Sequence, residues 1–246
     1  MCSWNALNDI YDFEIDLVNR PDRPLPSGRI SLNHAKTATA ITMISSILSI
    51  ALCYWLISES NPVEGFEVSD WYPSLAIWIM ALILLINYEF PFGLRLKDKG
   101  LPGNISISIS VGLVVVFGAS AVFEPFSEKA WSLFFVGIFY NTSREIIKDV
   151  QDMEGDKGRN TLAMRIGSEN ARTVAWVMSI LALASVLLPF AIGIFPPLHV
   201  VLVIPAVMTL MMVKGRIIIG EDAAASSLLK KSMLLCLVAL LTSSLI

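Results

Sequence analysis

Six aspartates fall in two groups of identical spacing. Asp9, Asp12 and Asp16 stand at i, i+3 and i+7, and Asp149, Asp152 and Asp156 repeat that interval. On an α-helix the spacing places three side chains on one face, although Gly155 is a residue that can end or loosen the second helix before Asp156. Asn8, four residues before Asp12, joins the first stripe, whereas Tyr11, Phe13 and Ile15 fall off it. A carboxylate deep in hydrocarbon costs about 2.5–3.5 kcal/mol, and neighbouring carboxylates on one helix repel. Such ladders require a compensating cation. Magnesium takes oxygen ligands and is typically held by one or two carboxylates together with substrate phosphates. Two ladders gathered around a diphosphate therefore make a coherent chemical unit. A solvated acidic helix end explains one ladder equally well; the repeated spacing argues against it for the pair.

Each ladder is flanked by cations. Arg20 and Arg23 follow the first, within Asn19-Arg20-Pro21-Asp22-Arg23-Pro24, and Arg144 and Lys148 precede Asp149. Arginine grips phosphate through a planar fork and lysine acts as a point charge. The prolines of the 21–26 run stiffen the loop that carries Arg20 and Arg23. A third basic stretch, 88–104, is short and amphipathic. It either caps a site or rests at the membrane interface with its lysines extended to water. Lys157, Arg159 and Arg165 are candidates for a second phosphate, but the ordinary charge bias of membrane loops is the stronger reading for each.

The surrounding composition says what solvent these groups meet. The chain has 246 residues, 55% hydrophobic and 16% charged, with a mean hydropathy of +0.67. A soluble domain carries about 25% charged residues. Apolar runs long enough to cross a bilayer fall near 34–57, 72–91, 104–123, 129–147, 171–194, 197–213 and 225–246. Asn61-Pro62, Glu124-Pro125, Pro196-Pro197 and the 214–222 stretch punctuate them. The fold expected is all-α, a polytopic transmembrane helix bundle forming one domain over 1–246. The loops 17–36, 92–103, 144–172 and 214–231 are basic, and the alternate loops are acidic or neutral apart from Lys129. Basic loops mark the cytoplasmic face, so both aspartate motifs are expected on the cytoplasmic side of the cell membrane. Met1–Asn8 is apolar but too short to span, which leads to the expectation that the sequence is an N-terminal truncation. Cys2, Cys53 and Cys236 form no disulfide framework or zinc motif. The sequons at Asn104 and Asn141 lie at or within predicted helices and are taken as chance matches.

With these residues in view, the chain resembles the UbiA superfamily of intramembrane prenyltransferases. Asn8-Asp9-x-x-Asp12-x-x-x-Asp16 with Asn19-Arg20-Pro21-Asp22-Arg23-Pro24 is similar to its first signature. Arg144-Glu145-x-x-Lys148-Asp149-x-x-Asp152-x-x-Gly155-Asp156 is similar to the second, in the form carried by an archaeal ether-lipid branch. The resemblance implies a UbiA-type bundle lacking here the first helix and most of the second. It implies Mg2+ held by Asp9, Asp12, Asp16, Asp149, Asp152 and Asp156, which also act as the catalytic residues. Substrate contacts are implied for Asn8, Arg20, Arg23, Tyr88, Lys97, Arg144 and Lys148. The implied reaction is transfer of a geranylgeranyl group from geranylgeranyl diphosphate to a lipid-phosphate acceptor, geranylgeranylglyceryl phosphate, in archaeal ether-lipid synthesis. The partners are thus two lipid substrates and the membrane, with no nucleic acid. Three other readings stand beside it: a relative with an aromatic quinone- or chlorophyll-type acceptor, an inactive fragment, and a cation transporter. Transporters hold intramembrane carboxylates near the bilayer midplane, whereas these ladders sit at predicted helix ends.

Overall fold

A computed structural model describes residues 2–60, 65, 67–90, 92–156 and 158–246. The expectations placed on Met1, on Asn61-Pro62 and on Lys157 lie outside the described residues. Among those described, every long element is helical and no strand occurs. The helices are α1 (Cys2–Tyr11), α2 (Phe13–Asn19), α3 (Leu32–Ser60), α4 (Tyr72–Glu89), α5 (Leu101–Ala121), α6 (Glu128–Gln151), α7 (Leu162–Ile166), α8 (Ser168–Ala191), α9 (Ile204–Ile218) and α10 (Asp222–Leu245). A 3-10 turn, Pro197–Val203, leads into α9.

The seven expected spans correspond to α3, α4, α5, α6, α8, the Pro197–Ile218 segment and α10. Six of these are both long and apolar enough to cross a membrane. The seventh, α6, has 24 residues, ample length for a bilayer. Its C-terminal half reads Asn141-Thr142-Ser143-Arg144-Glu145 before the second motif, and that polarity sets it apart. A helix so polar must be surrounded by protein.

The chain forms two compact units. The larger comprises 77–153 and 158–246. In it α6 packs against α5, α8 and α10, so the polar helix is lined by neighbours. Small residues permit close approach: Ala171, Ala175, Ser179 and Ala182 of α8 are fully buried. Gly112 of α5 lies so near Phe134 of α6 that a Cβ there would crowd the ring. Polar groups join the helices where hydrocarbon offers no water. Ser143 Oγ donates to the Ala175 carbonyl at 2.8 Å and pairs with Ser179 Oγ at 2.9 Å. The Tyr140 hydroxyl meets Ser232 Oγ at 2.8 Å, and Ser232 donates to the Ala206 carbonyl at 2.6 Å. Arg172 grips Asp222 through two nitrogens at 2.9 and 2.7 Å, fastening the start of α8 to that of α10. Outward faces are apolar, as Ile180, Met208, Leu234 and Val238 show, which suits lipid rather than water.

The smaller unit comprises 1–76 with 154–157. Here α1 packs on α3, and Trp4, Leu25 and Trp71 are buried. The apolar window of α3 has no buried residue. Ile44, Leu48, Leu52 and Trp55 are all exposed.

Candidate active site

The first ladder is built where α1 meets α2. Asp12 stands at the joint with φ −91° and ψ 11°. The Asp12 amide nevertheless donates to the Asn8 carbonyl at 2.8 Å, and the Asp16 amide to the Asp12 carbonyl at 2.7 Å. The helical register thus carries through the joint and keeps the ladder together. Asn8 Nδ2 donates to Asp12 Oδ2 at 3.0 Å. Arg23 returns from the proline-rich loop and places Nη1 3.0 Å from Asp9 Oδ1 and 2.5 Å from Asp16 Oδ2. The Asp16 side chain is 8% exposed and that of Asp9 46%. Burial raises the Asp9 pKa above the usual carboxylate value. Arg23 opposes the rise, the Asp16 and Asp12 charges add to it, and Arg20 lowers it. The Arg20 amide closes α2 on the Asp16 carbonyl, and the Arg29 guanidinium braces the loop against the Asp22 carbonyl.

The second motif departs from the expected single helical face. Of its three aspartates only Asp149 lies within α6, which ends at Gln151. Asp152 caps the helix, its amide donating to the Lys148 carbonyl at 2.9 Å. Residues 152–156 form turns. The Gly155 amide donates to Asn19 Oδ1 at 3.0 Å. A Cβ at 155 would overlap the Asn19 side chain, so only glycine fits this approach. That contact lies wholly within the smaller unit and joins the end of the first motif to the end of the second. Asp156, next along, is 2% exposed.

Glu145 gathers the cations that precede Asp149. Arg144 Nη1 lies 3.0 Å from one of its oxygens and Lys148 Nζ 2.8 Å from the other. Asn104 Nδ2 of α5 donates to Asp149 Oδ2 at 2.9 Å. The 88–104 stretch folds through a 3-10 turn at Leu96–Asp98. Arg95 precedes the turn with φ 47° and Gly100 follows with φ 68°. Lys97 is drawn inside and ion-pairs with Glu89, at 4% and 3% side-chain exposure. Arg159 clamps the turn by its contact with Asp98 at 3.1 Å. Tyr88 is half-buried, within the electrostatic reach of Glu145 and Asp149. Arg165 bonds Asn160.

Sequence reasoning assigned no role to Glu89, Glu145, Asn19 and Asn104. Glu145 was legible as an acid between two cations. Glu89 pairs across a turn and Asn19 and Asn104 act across long sequence separations, so spacing carried no trace of them.

The donor set suits a hard divalent cation: it is all oxygen, and in the first ladder two carboxylates already converge on one positive group, Arg23. Among the described residues no three His, Cys, Asp or Glu side chains are grouped to enclose a metal. Away from this chemistry, a groove of about 530 Å³ opens between the N-terminal half of α6 and the C-terminal half of α8, lined chiefly by Trp131, Phe135, Phe139, Leu188 and Ile192.

An all-α membrane bundle with paired aspartate motifs defines a class of intramembrane prenyltransferase. The chain matches the UbiA prenyltransferase family over residues 1–238, and it belongs to that family. It is similar to the digeranylgeranylglyceryl phosphate synthase of Methanopyrus kandleri, 34% identical over 97% of this chain and 81% of the relative. The proteins of that name from Methanosarcina mazei and Korarchaeum cryptofilum are each 33% identical, over 96% and 98% of this chain and 75% and 80% of theirs. A solved structure described as giving insights into digeranylgeranylglyceryl phosphate synthase in membranes aligns with a TM-score of 0.66. It is 29% identical and is matched over 98% of this chain and 80% of its own.

Proposed function

We propose that this prenyltransferase moves a geranylgeranyl group from geranylgeranyl diphosphate to the free hydroxyl of geranylgeranylglyceryl phosphate, forming the second ether bond of an archaeal membrane lipid. Support for the acceptor comes from the relatives named above. The observation that carries the site is the Gly155–Asn19 hydrogen bond, since it ties the two motifs by their ends.

In this reading Asp9, Asp12, Asp16, Asp149, Asp152 and Asp156 hold Mg2+, at the cytoplasmic side of the membrane. The metal, when bound, neutralises charge on the leaving diphosphate. Arg23, Lys97, Arg144 and Lys148 supply donors to the diphosphate oxygens, Arg23 and Arg144 through planar forks. Asn8 holds the Asp12 carboxylate in place, and Arg20 and Tyr88 border the diphosphate. As the carbon–oxygen bond loosens, positive charge grows on the allylic carbon. The apolar helices keep water from that carbon until the acceptor hydroxyl attacks; the ether bond forms, diphosphate leaves, and the hydroxyl proton passes to an aspartate of either motif or to the acceptor's own phosphate. Arg159 and Arg165 stand as candidates for the acceptor's phosphate, with Arg159 already engaged by Asp98.

The test uses purified protein in lipid, labelled geranylgeranyl diphosphate, and either geranylgeranylglyceryl phosphate or an aromatic quinone precursor. Label is expected in the glyceryl phosphate product alone, with transfer stopped by chelation and restored by Mg2+. Transfer only to the aromatic acceptor overturns the acceptor assignment. Asp12→Ala and Asp149→Ala are each expected to abolish transfer; full activity in both removes the carboxylates from the reaction.

A further inference from the structure

We infer that Asn104 is a positioning residue for metal binding: its amide fixes the carboxylate of Asp149 in the orientation the ion requires. The inference rests on Asp149 being a metal ligand, as proposed above.

The side-chain amide of Asn104 spans two environments. Its Nδ2 donates to Asp149 Oδ2 at 2.9 Å. An ionised carboxylate only accepts hydrogen bonds, so the nitrogen must face Asp149 and the oxygen must face away. That oxygen is buried and has no hydrogen-bond partner among the described residues, and the residue as a whole is 7% exposed. Turning the amide over would satisfy Oδ1 no better and would set it against a carboxylate. Ser106 Oγ and Thr142 Oγ1 are also buried without partners, but a hydroxyl rotates and reaches its own helix carbonyls readily. An amide oxygen on a fixed plane has no such freedom. Asparagine is thus held here against its own solvation, and the group that benefits is Asp149.

The surroundings enforce the placement. Gly103 lies so close to the Leu96 carbonyl that any side chain there would collide with it, which draws the first turn of α5 against the 96–98 turn. From the other side, Asn141 Nδ2 of α6 donates to Ser108 Oγ at 3.1 Å, and Ser108 donates to the Asn104 carbonyl at 2.6 Å. Asn104 is therefore tied to α6 through its side chain at Asp149 and through its backbone by way of Ser108 and Asn141. A partner that fixes a ligand's plane and occupies one of its oxygens is worth about 10–100-fold in metal affinity.

The test compares the protein with Asn104→Ala and Asn104→Leu, and with Asp149→Ala as the control. Mn2+ binding is measured by electron paramagnetic resonance in detergent, in the presence of inorganic pyrophosphate, and melting temperature is recorded for each protein. Both Asn104 variants are expected to bind Mn2+ about 10–100-fold more weakly. Asn104→Ala should melt no lower than the wild type, because it also removes the unpaired oxygen. Asn104→Leu keeps the size of the residue but not its donor and adds no charge, so weakened binding there separates positioning from space-filling. Unchanged Mn2+ affinity in the Asn104 variants, or weakening that merely tracks a lower melting temperature, overturns the inference. If Asp149→Ala itself binds Mn2+ normally, the metal assignment of Asp149 fails, and this inference with it.

Discussion

At the scale of single residues, the cations near the two aspartate motifs are held by acids of their own. Arg23 joins Asp9 to Asp16, Glu145 collects Arg144 and Lys148, and Glu89 buries Lys97. Charges removed from water persist only when paired, so these partners hold the cations in place. Arg144 has its Nη1 on Glu145 while its buried Nε has no hydrogen-bond partner among the described residues. Arg144→Ala is expected to raise the KM for the prenyl diphosphate about tenfold or more, with a smaller effect on kcat. Initial rates across donor concentration check this, and an unchanged KM removes Arg144 from donor binding.

At the scale of elements, the departure of the second motif from its helix is the structural event that joins the ends of the two motifs. Had α6 run on through Asp156, the 155 amide would have bonded within its own helix. Ending at Gln151 leaves that amide to Asn19. Asn19→Ala is expected to lower stability by about 0.5–1.5 kcal/mol, the net worth of one hydrogen bond, and to reduce turnover. Gly155→Ala should be worse, since its Cβ meets the Asn19 side chain. In the double variant the clash is gone, so the effects should be strongly non-additive. Melting temperatures of the four proteins read this out; strict additivity would show that the two residues do not meet. Elsewhere, Arg172→Ala breaks the two-nitrogen contact that fastens α8 to α10. The expected loss is about 1.5–3 kcal/mol, seen as a lower melting temperature without a change in the KM for either substrate.

At the scale of the whole molecule, the prediction concerns the membrane. On the charge bias of the loops, residues 214–231 are expected in the cytoplasm. In a variant with Cys2, Cys53 and Cys236 replaced, Ile219→Cys and Leu198→Cys present single thiols at highly exposed positions. In right-side-out vesicles a membrane-impermeant maleimide should label the second and spare the first. The reverse pattern would invert the topology.

How much of this was legible follows from where each signal resides. The aspartate spacing, the seven apolar stretches and the family resemblance are local properties of the chain, because helices in lipid must satisfy their own backbone and so declare themselves as continuous runs. The sequence by itself therefore determined the all-α membrane class and named the carboxylates. The tertiary structure decided which partner each charge takes. It ended α6 before Asp156, buried Lys97 on Glu89, and made Asn104, a chance sequon by sequence, a partner of Asp149 from 45 residues away. Such pairings depend on which helices pack together and at what register, and the spacing of residues along the chain does not encode them.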